Sequence, residues 1–150
     1  MCNKFYNVEN SLGFMTITAN RLMGLFLRRR FMAAGIDLTA EQWGVLAQIW
    51  NRQSVTQDEL ARHLCVDKSS LSRVLNTMER KGFVRRDKDP ADARRNILCA
   101  APAAEAVKTQ ALAEVNSAMV RVLEGVAADE HAACLRVLGT IKNNLRENLI

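Results

Sequence analysis

One stretch of the chain concentrates cationic and hydroxyl side chains at the spacing of a single helix face. When residues are placed 100° apart, one arc of the segment 67–81 carries Ser69, Ser72, Arg73, Asn76 and Arg80. No acidic residue lies between Lys68 and Glu79, whereas a solvated helix face usually pairs Glu with Lys. Short hydroxyl side chains let a polyanion approach closely, and arginine binds phosphates or guanine edges. These residues therefore fit polyanion recognition rather than catalysis.

A second cationic group follows this stretch. Residues 83–86 begin a strand, 87–92 have the composition of a turn, and 97–99 form the returning strand, which together predict a two-stranded hairpin. Arg94 follows the turn directly and suits insertion into a narrow minor groove, where the negative potential is strongest. Asp92, two residues earlier, is placed to bind the Arg94 guanidinium. The alternative interpretation is an ordinary solvated hairpin.

The positive charge of the chain is local. Ten basic side chains lie between Arg62 and Arg95 against five acidic ones, so this segment carries +5, which equals the net charge of the whole chain. The remaining residues therefore balance to zero. A local basic excess indicates an anionic partner, either nucleic acid or an acidic membrane surface.

The residue types that usually carry covalent or metal chemistry form no recognisable site. Cys2, Cys65, Cys99 and Cys134 lack C-x-x-C spacing, which disfavours a disulfide scaffold or a zinc ribbon. We expect reduced cysteines packed as small hydrophobic residues, with a redox role as the alternative. Neither histidine accompanies a nucleophile motif, and the sequence has no glycine-rich phosphate loop. A small enzyme is thus disfavoured, and we expect no cofactor and no metal.

The elements that must position these groups are helical. A content of 49% hydrophobic but only 5% aromatic residues, with two prolines, is typical of a mainly helical core. Capping-box patterns at 39–42 and 56–59 each open a helix. The second helix, over 56–64, is followed by a break at 65–66 and then by a helix from Asp67 to Lys81 that carries the polar arc. Helix, break, helix and hairpin in this order predict a winged helix-turn-helix.

Long helices are predicted on both sides of this module. The first begins at Asn10 or Ser11 and ends at Gly35, with apolar residues around much of its circumference. The last two begin near Pro102 and at Asp129. Their apolar seams are Leu112, Val115, Met119, Val122 and Val126, and then Cys134, Leu138, Ile141 and Leu145. Because packing within one chain can bury only part of this apolar surface, two copies are expected to associate through these helices.

The predicted fold class is mainly α with a small β-hairpin, a winged helix-turn-helix flanked by N- and C-terminal dimerisation helices. Residues 1–150 form a single domain. Within it, 39–101 is the DNA-binding part, and 8–35 and 102–148 are the dimerisation helices. The N-terminus lacks the pattern of a secretory signal, and the apolar region 15–32 is too interrupted for a membrane span. We therefore expect a cytoplasmic protein without membrane contact.

The order of these motifs resembles the multiple-antibiotic-resistance regulator (MarR) family of bacterial transcription factors over nearly the whole chain. Each stretch alone is weakly diagnostic, but their order and spacing together are specific. The residues that carry the resemblance are Leu38-Thr39-Ala40-Glu41-Gln42-Trp43, Thr56-Gln57-Asp58-Glu59-Leu60-Ala61, Val66-Asp67-Lys68-Ser69-Ser70-Leu71-Ser72-Arg73, Met78-Glu79-Arg80-Lys81-Gly82-Phe83-Val84 and Asp92-Ala93-Arg94.

The resemblance implies a homodimer on a palindromic operator of double-stranded DNA, with the 67–81 helix in the major groove and Arg94 in the minor groove. It also implies a small, often aromatic or phenolic, effector that weakens DNA binding. Trp43, Trp50, Met23 and Phe26 are candidates to line the effector pocket, with plain core packing as the alternative.

The predicted function is that of a ligand-responsive repressor without catalytic activity. We expect two groups of DNA contacts. Lys68, Arg80, Arg86 and Arg95 are predicted to bind phosphates, whereas Ser69, Ser70, Ser72, Arg73 and Arg94 are predicted to set register and specificity. The alternative function is a winged-helix protein-interaction module without sequence-specific DNA binding, because fold alone does not decide function.

Overall fold

The computed structural model describes residues 7–52 and 54–149. A short 3-10 turn at Val8–Asn10 precedes the regular elements. These are α1 (Leu12–Ala33), α2 (Ala40–Asn51), α3 (Gln57–Leu64), α4 (Lys68–Arg80), β1 (Val84–Lys88), β2 (Asn96–Ala100), α5 (Pro102–Val122) and α6 (Ala128–Asn148). The predicted fold class, mainly α with a small hairpin, is confirmed. The chain forms two compact units, one that extends to Val115 and one that begins at Asn116.

Side-chain caps determine where the first four helices begin. The hydroxyl of Ser11 accepts from the Phe14 N–H and starts α1. Reciprocal capping boxes, Thr39 with Gln42 and Thr56 with Glu59, start α2 and α3 as predicted. Each box satisfies backbone N–H groups that have no partner inside the helix.

The core of the first unit lies where the end of α1, α2, α3, α4 and the hairpin meet. Its largest fully buried side chains are Phe31, Ile36, Val45, Leu46, Val55, Leu60, Leu71, Leu75 and Met78. On α2 the buried face is Gln42, Val45, Leu46 and Ile49. Trp43 and Trp50 are half-buried, and the Trp43 ring packs against buried Phe31, so both lie at the edge of the core. The polar edge of the indole explains this at Trp50, whose Nε1 donates to Glu105 Oε1 at 2.8 Å.

The hairpin is antiparallel and is tied to the helices at its base. Val84 pairs with Ala100 at one end of the register, and Lys88 pairs with Asn96 at the other. The first strand therefore continues two residues into the segment predicted as turn. The Leu98 N–H donates to the Val55 carbonyl at 2.8 Å, which joins β2 to the chain just before α3. This bond anchors the hairpin beside α3.

The cysteine prediction is wrong for two of the four residues. Cys65 and Cys134 are exposed, and Cys99 is half-buried, where burial raises the pKa of its thiol. Cys2 lies outside the described residues. Cys65 ends α3 with a left-handed φ of 54° and so begins the predicted break between the two helices.

The start of the last helix also differs from the prediction. Ala127, and not Asp129, is its N-cap residue. The Ala127 N–H donates to Glu130 Oε2 at 2.9 Å, so an acidic side chain from inside the first turn provides the cap. Asp129 lies in the same first turn, where a negative charge complements the helix dipole.

The apolar seams of α5 and α6 are largely uncovered. The residues of α5 that are fully buried are Ala104, Ala111 and Ala118, which repeat every seven residues. The predicted seam lies beside them and has Leu112, Val122 and Val126 exposed. Leu138 and Leu145 of α6 are exposed as well. None of the helices in the described ranges is long and apolar enough to cross a membrane.

Candidate nucleic-acid interface

The fourth helix separates apolar and polar side chains as its sequence predicts. Leu71, Leu75 and Met78 are at most 2% exposed and hold α4 against the core. The opposite face carries Ser69, Arg73, Asn76 and Arg80, all exposed, with Ser70 and Ser72 half-buried at its edges. The face predicted to contact DNA is therefore accessible.

The N-terminus of α4 is organised by Asp67. Its Oδ1 accepts from the Ser70 N–H at 2.8 Å and from the Ser69 hydroxyl. These hydrogen bonds hold the pKa of the Asp67 carboxyl well below its ordinary value, because they favour the charged form. The Ser69 hydroxyl proton is engaged in this cap, so its oxygen remains available as an acceptor for an external donor.

The Asp67 cap predicts a pH dependence of stability. Since the folded-state pKa is depressed, the contribution is fully present above the ordinary carboxyl pKa of 3.8 and is lost as pH falls below it. We expect Asp67→Asn, which keeps a capping side chain, to unfold at lower temperature than the wild type at pH 7. The difference should shrink as the pH is lowered towards 3. Thermal unfolding followed by circular dichroism checks this, and a difference independent of pH would contradict it.

Two arginines on the exposed face of α4 have only weak neutral contacts within the described part of the chain. Arg73 Nη2 lies 3.4 Å from the Ser70 hydroxyl, and Arg80 Nη2 lies 3.4 Å from the Thr77 hydroxyl. Both distances are at the long limit for hydrogen bonds, and neither contact neutralises the guanidinium. Their charges are therefore available to an external anion.

Arg94 is exposed in the connection between the two strands. Asp92 Oδ1 accepts from the backbone N–H of Arg94 at 3.0 Å, and the Asp92 carbonyl accepts from the Arg95 N–H at 2.9 Å. The predicted contact from Asp92 to the Arg94 guanidinium is therefore wrong, because the carboxylate is used to close the turn. Among the residues that the structure covers, no hydrogen bond holds that guanidinium. Asp92 thus shapes the backbone that presents Arg94.

The other predicted phosphate contacts are already paired with acids. Lys68 Nζ lies 3.0 Å from Asp58 Oδ2, in a pair whose side chains are 70% and 64% exposed. Such an exposed pair contributes about 0–1 kcal/mol, so a phosphate can displace Asp58. Arg86 instead binds Glu79, with Gln57 and Asn76 oxygens at 3.4 Å, and is mostly buried.

Arg95 is paired as well, with Glu59 Oε1 at 3.1 Å. Asp58 and Glu59 were overlooked as counter-charges because they precede the basic segment. When they are included, residues 54–101 contain ten basic and seven acidic side chains, so the module carries +3. Both acids lie in the first turn of α3, where negative charge complements the helix dipole, but only the tertiary structure brings them to Lys68 and Arg95.

Two clefts lie within the first unit. One, of about 450 Å³, lies between α3 and the hairpin and is lined by Thr56, Gln57, Asp58, Glu59, Arg62, Arg86, Arg95, Asn96 and Leu98. The other, of about 420 Å³, is lined by Phe26, Arg29, Arg30, Ala33, Ala34 and Glu114. Of the predicted effector-pocket residues, Phe26 lines the second cleft, whereas Trp43, Trp50 and Met23 line neither.

The described residues contain no group of three or more His, Cys, Asp or Glu side chains arranged to hold a metal ion. Two helices, α3 and α4, followed by a short antiparallel hairpin define a winged helix-turn-helix protein. Comparison with known proteins then identifies the family. The sequence model of the MarR family matches residues 38–95.

Similar proteins support the same assignment. Transcriptional regulator PA3341, known from a crystal structure, is 30% identical in sequence to this chain. The match covers 91% of this chain and 99% of the PA3341 chain, and the two folds superpose with a TM-score of 0.78. A cysteine-to-serine mutant of MarR from E. coli, in a crystal structure with operator DNA, is 26% identical in sequence to this chain. The match covers 91% of this chain and 99% of the MarR chain, also with a TM-score of 0.78. The chain belongs to the MarR family of transcriptional regulators.

Curated relatives match over a shorter range. An uncharacterized HTH-type transcriptional regulator of Bacillus cereus is 38% identical over 74 residues, which is 49% of this chain and 46% of the relative. The match thus spans about half the length of the curated relatives. Members of this family are transcriptional regulators, which disfavours a small enzyme.

Proposed function

We propose that this protein binds double-stranded DNA as a homodimer and regulates transcription in the cytoplasm. In this proposal α4 enters the major groove and Arg94 enters the adjacent minor groove. The observation that carries it is the exposed, acid-free face of α4, on which Arg73 and Arg80 form no ion pair with another described residue. The crystal structure of an E. coli MarR mutant complexed with operator DNA supports DNA binding by this fold.

The side chains divide into two roles. Lys68 and Arg80 bind phosphates, which supplies affinity that falls as salt is added. Residues of the exposed face of α4 and of the wing, which is the hairpin 84–100, read the sequence and set the register. They are Ser69, Ser70, Ser72, Arg73, Asn76 and Arg94, with Asp92 shaping the turn. Arg86 and Arg95 are each paired with a carboxylate of a helix, Glu79 and Glu59.

The homodimer forms through the helices outside 39–101, namely those within 8–35 and 102–148. Exposed apolar side chains support this assignment, because a monomer would leave them in water. They include Leu12, Met15, Ile17 and Leu22 on α1, Leu112 and Val122 on α5, and Leu135, Leu138 and Leu145 on α6. A two-fold axis would then place two recognition helices about 34 Å apart, on inverted half-sites.

A small aromatic or phenolic effector is proposed to release the DNA. Arg29 and Arg30 also line the cleft that Phe26 lines, and guanidinium groups complement a phenolate or carboxylate. Arg30 is paired with Glu114 at 2.6 Å, so an anionic ligand would compete with that carboxylate. A ligand that prefers one dimer geometry by about 1–3 kcal/mol changes DNA affinity about 5- to 150-fold, which suffices for a ligand-responsive repressor.

Selection of bound sequences from random duplex DNA tests the proposal. We expect enrichment of an inverted repeat whose half-sites lie about 10 base pairs apart, centre to centre. Binding should weaken steeply as salt is raised, because phosphate contacts release counterions. No enrichment and no binding to duplex DNA at low salt would overturn the proposal and favour a winged-helix protein-interaction module.

A further inference from the structure

The connection between the two strands of the wing is held to α3 through a carboxylate of that helix. Arg95 Nη2 donates to Glu59 Oε1 at 3.1 Å. Arg95 also closes the turn through its backbone, since its carbonyl accepts from the Asp89 N–H at 3.0 Å. The residue that Glu59 holds is therefore the immediate neighbour of Arg94 and part of the turn that presents it.

Glu59 is itself fixed in position. Its Oε2 accepts from the Thr56 N–H at 2.8 Å and from the Thr56 hydroxyl at 2.9 Å, which completes the capping box of α3. Its other oxygen, Oε1, binds Arg95. The bonds to Thr56, and secondly the charge of Arg95, hold the pKa of this carboxyl below its ordinary value. One oxygen thus caps the helix while the other holds the wing.

We propose that Glu59 is a positioning residue for the wing, which holds Arg95 and thereby sets the angle at which Arg94 meets the minor groove. This inference rests on the proposed DNA binding. It assigns Arg95 to an internal contact in place of the phosphate contact expected from the sequence. It also gives an acid a favourable role beside a polyanion, although simple charge repulsion predicts that removing an acid strengthens DNA binding.

The other strand has a similar attachment, which makes a fixed wing geometry consistent on both sides. Arg86 of β1 binds Glu79 of α4, and the oxygens of Asn76 and Gln57 lie 3.4 Å from its guanidinium. Strand β1 itself, and the residue that precedes β2, are thus each tied to a carboxylate on a helix of the helix-turn-helix. Geometry held by charge-assisted hydrogen bonds is specific in direction as well as in distance.

The test is the sign of the effect of Glu59→Gln on operator affinity. Glutamine keeps the cap, because Gln42 forms the same capping box with Thr39 in this chain, with Thr39 N–H to Gln42 Oε1 at 3.1 Å. Its remaining amide group donates and cannot accept from Arg95. We expect operator binding about tenfold weaker, within the range of direct side-chain couplings, and a melting temperature close to that of the wild type.

Asp58→Asn is the matched control. Asp58 is the neighbouring acid on the same helix turn, but it pairs with Lys68, and within the described ranges its carboxylate forms no hydrogen bond or ion pair with the wing. Its removal frees Lys68, so we expect affinity equal to the wild type or slightly higher. Both variants lose one negative charge. Tighter or unchanged binding by Glu59→Gln would overturn the inference, while enrichment of an operator by the wild type would leave the proposed function intact.

Two further measurements separate positioning from a general loss of stability. The cost of Arg94→Ala should be smaller in the Glu59→Gln background than in the wild type, because the misplaced wing already lacks the Arg94 contact. Arg95→Gln, which leaves the Glu59 cap in place, should weaken binding as Glu59→Gln does without changing the salt dependence. A decrease in the slope of log affinity against log salt by about 0.9 for each Arg95 would make it a phosphate contact and overturn the inference.

Discussion

Replacement of Arg94 by alanine is expected to weaken operator binding by about 1–3 kcal/mol for each arginine lost, so a dimer with two wings loses about 2–6 kcal/mol. The reason is that the guanidinium is exposed and has no hydrogen-bond partner among the described residues, so no such bond has to be broken before it contacts DNA. Its loss should leave helical content, melting temperature and dimerisation unchanged. Titration of a fluorescent operator, followed by anisotropy, measures the effect.

Lys88→Ala is the control for charge alone. Lys88 is also exposed on the wing, at the end of β1 where it pairs with Asn96, and its removal takes away the same single charge. We expect a loss below about 1 kcal/mol, through the general attraction to phosphates. Equal losses in the two variants would mean that the wing contributes only charge. An unchanged affinity of Arg94→Ala would remove the wing from the mechanism.

Charge reversal at Arg73 is expected to abolish the discrimination between operator and random DNA. Arg73 lies on the exposed face of α4, with only a neutral 3.4 Å contact to Ser70. A glutamate there cannot donate to a guanine edge and repels phosphates, whereas a bidentate arginine contributes about 1–3 kcal/mol of discrimination. We therefore expect the affinity of Arg73→Glu for the operator to fall to the level measured with a random duplex at the same salt concentration.

Arg62→Glu provides the same change in charge on the neighbouring helix. Arg62 is exposed in the last turn of α3, where its Nε donates to the Asp58 carbonyl at 3.4 Å. This variant should bind operator and random DNA more weakly by similar factors, so that the ratio of the two affinities is retained. If Arg73→Glu keeps that ratio and Arg62→Glu loses it, the recognition face has been assigned to the wrong helix.

Local features of the recognition helix were predictable because their causes are local. The capping box of Thr56 with Glu59 depends on residues three apart, and the inward face of α4 depends on the 100° rotation per residue. The N-cap of the last helix was not predicted, because aspartate is a usual N-cap residue and Asp129 was chosen for that reason. In the structure the Ala127 N–H instead donates to the side chain of Glu130, three residues later.

Contacts between elements could not be predicted in the same way. Asp92 had two donors within reach, the Arg94 guanidinium and the Arg94 N–H, and closure of the turn favours the backbone. On α5, alanines are buried and the larger residues of the predicted seam are exposed. The size of the side chains therefore does not indicate which face of α5 is buried within the chain. Such choices depend on distances between segments far apart in sequence.

The amino-acid order alone therefore specifies the starts of α2 and α3, the acid-free face of α4 and the local positive charge, because each depends on neighbours within about one helical turn. Tertiary packing alone decides which of those charges are available. It brings Glu59 to Arg95 across 36 positions, and Glu79 to Arg86 from helix to strand, while Arg73, Arg80 and Arg94 have no such acid in the described part of the chain. The physical reason is that ion pairing falls off within a few ångströms, and such proximity between distant segments exists only after folding.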